Sequence, residues 1–188
     1  MGNGIAMVRK LVVACICLSP LAVYSQGQSS SAQLTITMTV QSSISLIFQN
    51  NPRVNTNGFC PLSNSGTNNV GLDLGTASFT GGDNLACVNF IKGVGPATYQ
   101  VSSAFDVVVT KANTSSPNYT LAAELSTVPP ANVTWLINGT VLTNAGFTQL
   151  DAADSYTTPV TKTLQVQVKN NVPAQTLQET ITFLATAN

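Results

Sequence analysis

Residues 33–48 read Gln33-Leu-Thr-Ile-Thr-Met-Thr-Val-Gln-Ser-Ser-Ile-Ser-Leu-Ile-Phe48, and Leu34, Ile36, Met38, Val40, Ile44, Leu46 and Phe48 all fall on even positions. Thr35, Thr37, Thr39 and Ser45 stand between them. Successive side chains of an extended chain point to opposite faces, so this spacing predicts one long or once-bent strand with a single apolar face. The alternation returns on odd positions at Tyr99, Val101, Phe105, Val107 and Val109, and further strands are expected over 70–74, 86–91, 119–125, 164–168 and 180–187. Asn138-Gly139 separates Val133-Thr-Trp-Leu-Ile137 from Thr140-Val-Leu142. Both turn residues accept the positive φ of a type I′ turn, so a hairpin is expected that opposes Ile137 to Thr140 and Trp135 to Leu142.

Turn formers fill the gaps: Asn50-Asn-Pro-Arg-Val-Asn-Thr-Asn-Gly58, Ser63-Asn-Ser-Gly-Thr-Asn-Asn69, Thr80-Gly-Gly-Asp-Asn84, Val128-Pro-Pro130 and Lys169-Asn-Asn-Val-Pro173. Beyond Ser25 no segment offers ten residues of helical apolar spacing, and 24 threonines favour extended structure. The fold expected is all-β, an antiparallel β-sandwich of seven to nine strands over 33–188.

The amino terminus has a different organisation. Arg9 and Lys10 precede Leu11-Val-Val-Ala-Cys-Ile-Cys-Leu18, then Ser19 and Pro20 interrupt the run before Leu21-Ala-Val-Tyr-Ser25. That is the order of a secretory signal, with cleavage expected after Ser25 and a flexible polar arm over 26–32. The apolar stretch is too short for the roughly 20 residues that span a bilayer, so no transmembrane segment is expected in the processed chain. Cys15 and Cys17 would leave with the signal. Cys60 and Cys87 would remain, an even pair in an oxidising compartment, and a disulfide between them is the natural reading.

Composition narrows the function. The chain has no histidine, so Ser-His-Asp or Cys-His catalysis and His-based metal or haem sites cannot be built from it. Beyond Ser25, five basic residues face seven acidic ones (5 − 7 = −2) with no basic run, which speaks against nucleic acid as a partner. Asp151 and Asp154 flank two alanines, a spacing that could serve calcium or acid-base work, yet nothing adjacent in sequence completes a site. They are expected in a solvated turn, as are Asp73 and Asp83 beside their glycines, and Trp135 is expected in the core. No catalytic, cofactor or metal site is predicted, and the chain is read as non-enzymatic.

The order of motifs carries a resemblance. An alternating strand ends in Val40-Gln-Ser-Ser-Ile-Ser-Leu46; Cys60, Val70-Gly-Leu-Asp-Leu-Gly75, Cys87 and Val133-Thr-Trp-Leu-Ile-Asn-Gly-Thr-Val-Leu142 follow; Val172-Pro-Ala-Gln-Thr-Leu-Gln-Glu-Thr-Ile-Thr-Phe183 closes the series. This resembles fimbrial subunits of the chaperone-usher route, especially the spore-coat-U-like and CFA/I-like pilins. The resemblance implies an incomplete immunoglobulin-like sandwich whose groove is filled by an N-terminal strand of another subunit. It would make Leu34, Ile36, Met38 and Val40 the inserting side chains and Cys60 with Cys87 the subunit's disulfide. It also implies secretion to the periplasm or cell surface, self-association or pairing with a related subunit, and a periplasmic chaperone. The alternative is a self-complete secreted β-sandwich that binds carbohydrate or a surface protein, with residues 33–41 packed in their own sheet.

Overall fold

The computed structural model describes residues 37–38, 43–78 and 87–188. Thr39–Asn188 form one compact unit, to which every element below belongs, and Thr37 and Met38 belong to the preceding one. The expected signal peptide (1–25) and polar arm (26–32) lie outside the described residues. Every regular element described is a strand: β1 (Ser43–Gln49), β2 (Leu62–Ser63), β3 (Gly71–Leu72), β4 (Asn89–Gly95), β5 (Thr98–Ala112), β6 (Tyr119–Leu125), β7 (Val133–Ile137), β8 (Thr140–Val141), β9 (Thr148–Asp154), β10 (Val160–Lys169) and β11 (Ile181–Ala187). Among the described residues eleven strands stand beside the seven to nine expected, and three of them, β2, β3 and β8, have only two residues.

All strand pairs among the described residues are antiparallel. The larger sheet runs β1-β5-β10-β7-β8, with β4 also paired to β5; the second runs β11-β6-β9; β2 and β3 form a small ribbon. The long β5 has two partners in series along one edge: β4 takes Thr98–Ser102, and β1 takes Asp106–Ala112. Between them the loop before Cys60 closes the gap. Ala104 N donates to Gly58 O at 2.7 Å, and Cys60 N donates to Ser103 Oγ at 2.8 Å. Asn51 Nδ2 and Thr161 Oγ1 both donate to Asp106 Oδ1, which pins the same loop over the outer face of β5 and β10. Along its other edge β5 pairs with β10 from Thr98↔Lys169 to Val107↔Val160.

The core lies between the two sheets. Odd residues of β5 (Phe105, Val107, Val109), β6 (Tyr119, Leu121, Ala123, Leu125) and β7 (Val133, Trp135, Ile137) meet the even residues Leu164, Val166 and Val168 of β10. Phe183 of β11 reaches across to Phe48 and Phe105, with ring centroids 5.1 and 6.1 Å away in edge-to-face contacts. The predicted hairpin is present: Ile137 opposes Thr140, Leu142 N donates to Trp135 O at 2.9 Å, and Asn138 and Gly139 have φ of 50° and 81°. Trp135 is buried in the core. Cys60 and Cys87 are disulfide-bonded, and Cys60 is buried in a second cluster with Val88 and Val101.

Candidate functional site

Two places in the unit depart from an ordinary closed sandwich. The first is the edge where the sheets meet at β1 and β11. Alternation turns Ile44, Leu46 and Phe48 of β1 and Ile181, Phe183 and Ala185 of β11 toward the core. Tyr119, Leu121 and Ile137, which face the same core from interior strands, have no exposure at all. By contrast Ile44, Leu46, Ile181, Phe183 and Ala185 are only half-buried. Among the described residues, β11 pairs with β6 along one edge and with no strand along the other. A shallow hollow of about 140 Å³ opens at the end of this edge, lined by Ser43, Ile44, Thr114 and Ala187. The arrangement leaves backbone donors and acceptors of β11 beside a strip of apolar core, which is what an added extended segment needs: ladder bonds for its backbone and pockets for alternate side chains.

Of the four residues the resemblance assigned to insertion, Leu34, Ile36 and Val40 lie outside the described residues. Met38 is described and is 80% exposed. The expected long strand from Leu34 is seen only from Ser43 onward, and Thr37 and Met38 carry no strand assignment.

The second place is a charged cluster inside the sandwich, and it corrects the sequence reading of Asp151 and Asp154. They are not in a solvated turn. They belong to β9, opposite Leu121 and Tyr119 of β6. Directly opposed residues of an antiparallel pair share a face, and Leu121 and Tyr119 point inward. Strict alternation would put residues three apart on opposite faces. The register of β6 with β9 shifts between Tyr119 and Leu121, and that extra residue turns both carboxylates toward the core. From the other sheet comes Lys162, whose even position on β10 puts it in line with Leu164, Val166 and Val168, and it is 1% exposed. Lys162 Nζ is in direct contact with Asp151 Oδ2 and lies 3.8 Å from Asp154 Oδ2.

Electrostatics at the cluster follow from its position. Burial, and then the charge of Asp151, push the Asp154 carboxyl above the usual carboxylate range, with Lys162 opposing the shift. Burial, followed by the charges of Asp154 and Asp151, pushes the Tyr119 hydroxyl up to about 12, so it stays protonated and uncharged. Tyr119 packs on Tyr156 with ring centroids 5.3 Å apart. Because folded Asp154 holds its proton more tightly than the unfolded chain does, its contribution to stability is complete below the ordinary carboxylate range and is lost as pH rises through the raised value. The melting temperature of the wild type, measured relative to Asp154→Asn, is therefore expected to fall as pH is raised from acid to neutral. A flat or rising difference would remove this assignment.

Among the described residues no group of three or more Cys, Asp and Glu is placed to hold a metal ion, and no helix is long and apolar enough to cross a membrane. Comparison with family models, curated proteins and solved structures returned no match.

Proposed function

We propose that the chain is a secreted structural subunit, pilin-like, that assembles by β-strand donation. On this reading its sandwich is an immunoglobulin-like one that lacks a closing strand between β1 and β11. The observation that carries the reading is the half-buried core along that edge, where Ile44, Leu46, Ile181, Phe183 and Ala185 remain partly exposed beside the side of β11 that no strand among the described residues pairs with. An extended segment with alternating apolar side chains is the matching occupant, and Leu34, Ile36, Met38 and Val40 form such a segment in the sequence of this same chain. The Cys60–Cys87 disulfide supports an oxidising compartment, periplasm or cell surface, reached by way of the amino-terminal signal. A related subunit or a periplasmic chaperone would use the same edge.

Burial of four apolar side chains contributes on the order of 6 to 12 kcal/mol before ordering costs are subtracted, so contact should persist on dilution. The wild type is expected to elute as oligomers in size-exclusion chromatography. The Ile36→Asp, Met38→Asp double variant should run as a folded monomer that binds a peptide spanning residues 33–41 supplied in trans. The self-complete reading forecasts the opposite, a wild-type monomer at every concentration and a double variant that unfolds, and that outcome would end the proposal.

A further inference from the structure

The structure places a lysine amine, a carboxylate that it touches and a second acid together inside a β-sandwich, and from this juxtaposition we propose that Lys162 and Asp151 form an intramolecular isopeptide bond, with Asp154 carrying the protons. The inference is independent of strand donation.

Three features support it. Lys162 Nζ is enclosed by protein and in contact with a carboxylate oxygen of Asp151, so the attacking atom and the carbon it must reach, Asp151 Cγ, are held as near neighbours with no search to make. The Oδ2 atoms of both aspartates are themselves shielded from solvent, so water competes poorly for them. Asp154 stands beside the reacting pair with its Oδ2 3.8 Å from Nζ, and burial pushes its carboxyl above the usual carboxylate range, which suits a group that takes and returns protons. Phe105 of β5 lies directly opposite Lys162 in the sheet, and Tyr119 and Leu121 oppose the two aspartates across β6 and β9. These apolar and aromatic neighbours reduce the stabilisation of separated charges, which favours conversion of an ammonium and a carboxylate into a neutral amide.

The step balances without any added reagent. A proton passes from the Lys162 ammonium, by way of Asp154, to the Asp151 carboxylate, which leaves a neutral amine and a neutral acid. The amine lone pair forms the Nζ–Cγ bond. Asp154 takes a second proton from nitrogen and delivers it to the departing hydroxyl, so the Cγ–O bond breaks with loss of one water and Asp154 returns to its starting state. The product is an amide that ties β10 of one sheet to β9 of the other. Asp151 is the acceptor and Asp154 the carrier because Nζ touches the first and lies 3.8 Å from the second.

Mass spectrometry of the purified full chain tests this. The folded wild type is expected to be lighter than its sequence by one water beyond the two hydrogens lost at the disulfide. After denaturation and trypsin digestion, cleavage should fail after Lys162, so that residues 112–169 appear as one peptide lacking one water. Lys162→Arg and Asp154→Ala should each have the full sequence mass apart from the disulfide. A wild type of full mass, or one that trypsin cuts after Lys162, overturns the proposal, as does a water deficit that persists in Lys162→Arg, which would indicate dehydration of an aspartate elsewhere. A deficit that persists in Asp154→Ala overturns the role given to Asp154. The wild-type peptide map decides the bond itself even where a variant fails to fold.

Discussion

Lys162→Met is expected to cost the domain at least about 3 to 5 kcal/mol, because it leaves Asp151 and Asp154 facing the core with no cation between them. Native domains hold only about 5 to 15 kcal/mol in total, so the variant should be marginal at neutral pH. The methionine fills nearly the same volume as the lysine stem, so little of the loss comes from packing, and an amide between Lys162 and Asp151 would add the loss of a cross-link to it. The dependence on pH has a definite sign: protonation of the stranded carboxylates removes the uncompensated charge, so the deficit against wild type should shrink as pH falls. Adding Asp151→Leu and Asp154→Leu to Lys162→Met should restore the part of the loss that comes from those carboxylates, since apolar groups of similar volume often replace a buried ion pair without penalty. Urea unfolding of the wild type, the single variant and the triple variant at two pH values checks all of this. A single variant within about 1 kcal/mol of wild type would show that the cluster is better solvated than its burial indicates.

Removal of the Cys60–Cys87 bridge should be of comparable size. The two cysteines are separated by 27 positions, and closing a loop of that length withdraws about 3 to 4 kcal/mol of conformational freedom from the unfolded chain on the chain-entropy view. Its native-state role adds to this, because the bridge holds the loop before Cys60 against the start of β4, and that loop supplies Gly58 O to Ala104 in the gap along β5. Cys60→Ala with Cys87→Ala is the suitable variant, since alanine leaves no hydroxyl to be satisfied beside buried Val88 and Val101. Chemical denaturation of this variant should give a midpoint well below that of the oxidised wild type. Equal midpoints would mean that the unfolded chain is already compact around these residues.

The sequence made some of this structure plain and hid the rest for physical reasons. The alternation Tyr119, Leu121, Ala123, Leu125 fixes both the extent of β6 and its buried face, and Asn138-Gly139 fixes a hairpin register, because each is a local property of a few consecutive residues. The strand β9 was misread since Thr148-Gln-Leu-Asp-Ala-Ala-Asp154 has no alternation to detect; its pairing irregularities exist only in relation to β6, some 30 residues away. Lys162 did carry a signal: it has the same parity as Leu164, Val166 and Val168, and a lysine in phase with an apolar face is a buried charge that requires a partner. Which acids would supply that partner was not legible, since it depends on how the two sheets are laid over one another. The partial exposure of the edge at β1 and β11 was equally hidden, because exposure of Ile181 and Phe183 reflects which strands are neighbours and not the composition of either strand.

The divided edge of β5 also dictates an order of events during folding. Its pairing with β4 closes through a tight turn at Pro96-Ala97, where Ala97 has φ of 52°, and needs only adjacent residues to meet. The pairing with β1 must wait for a segment more than 50 residues upstream, and that with β10 for one roughly as far downstream. A hairpin of β4 and β5 can therefore arise early and on its own, while Phe105, Val107 and Val109 remain bare until distant strands arrive. Topologies dominated by such remote pairings fold slowly, in milliseconds to seconds. Throughout that interval the nascent sheet presents an apolar face and an unpaired edge to any neighbouring chain, so crowding, dilution and the pace of delivery decide whether the chain reaches its native state or aggregates.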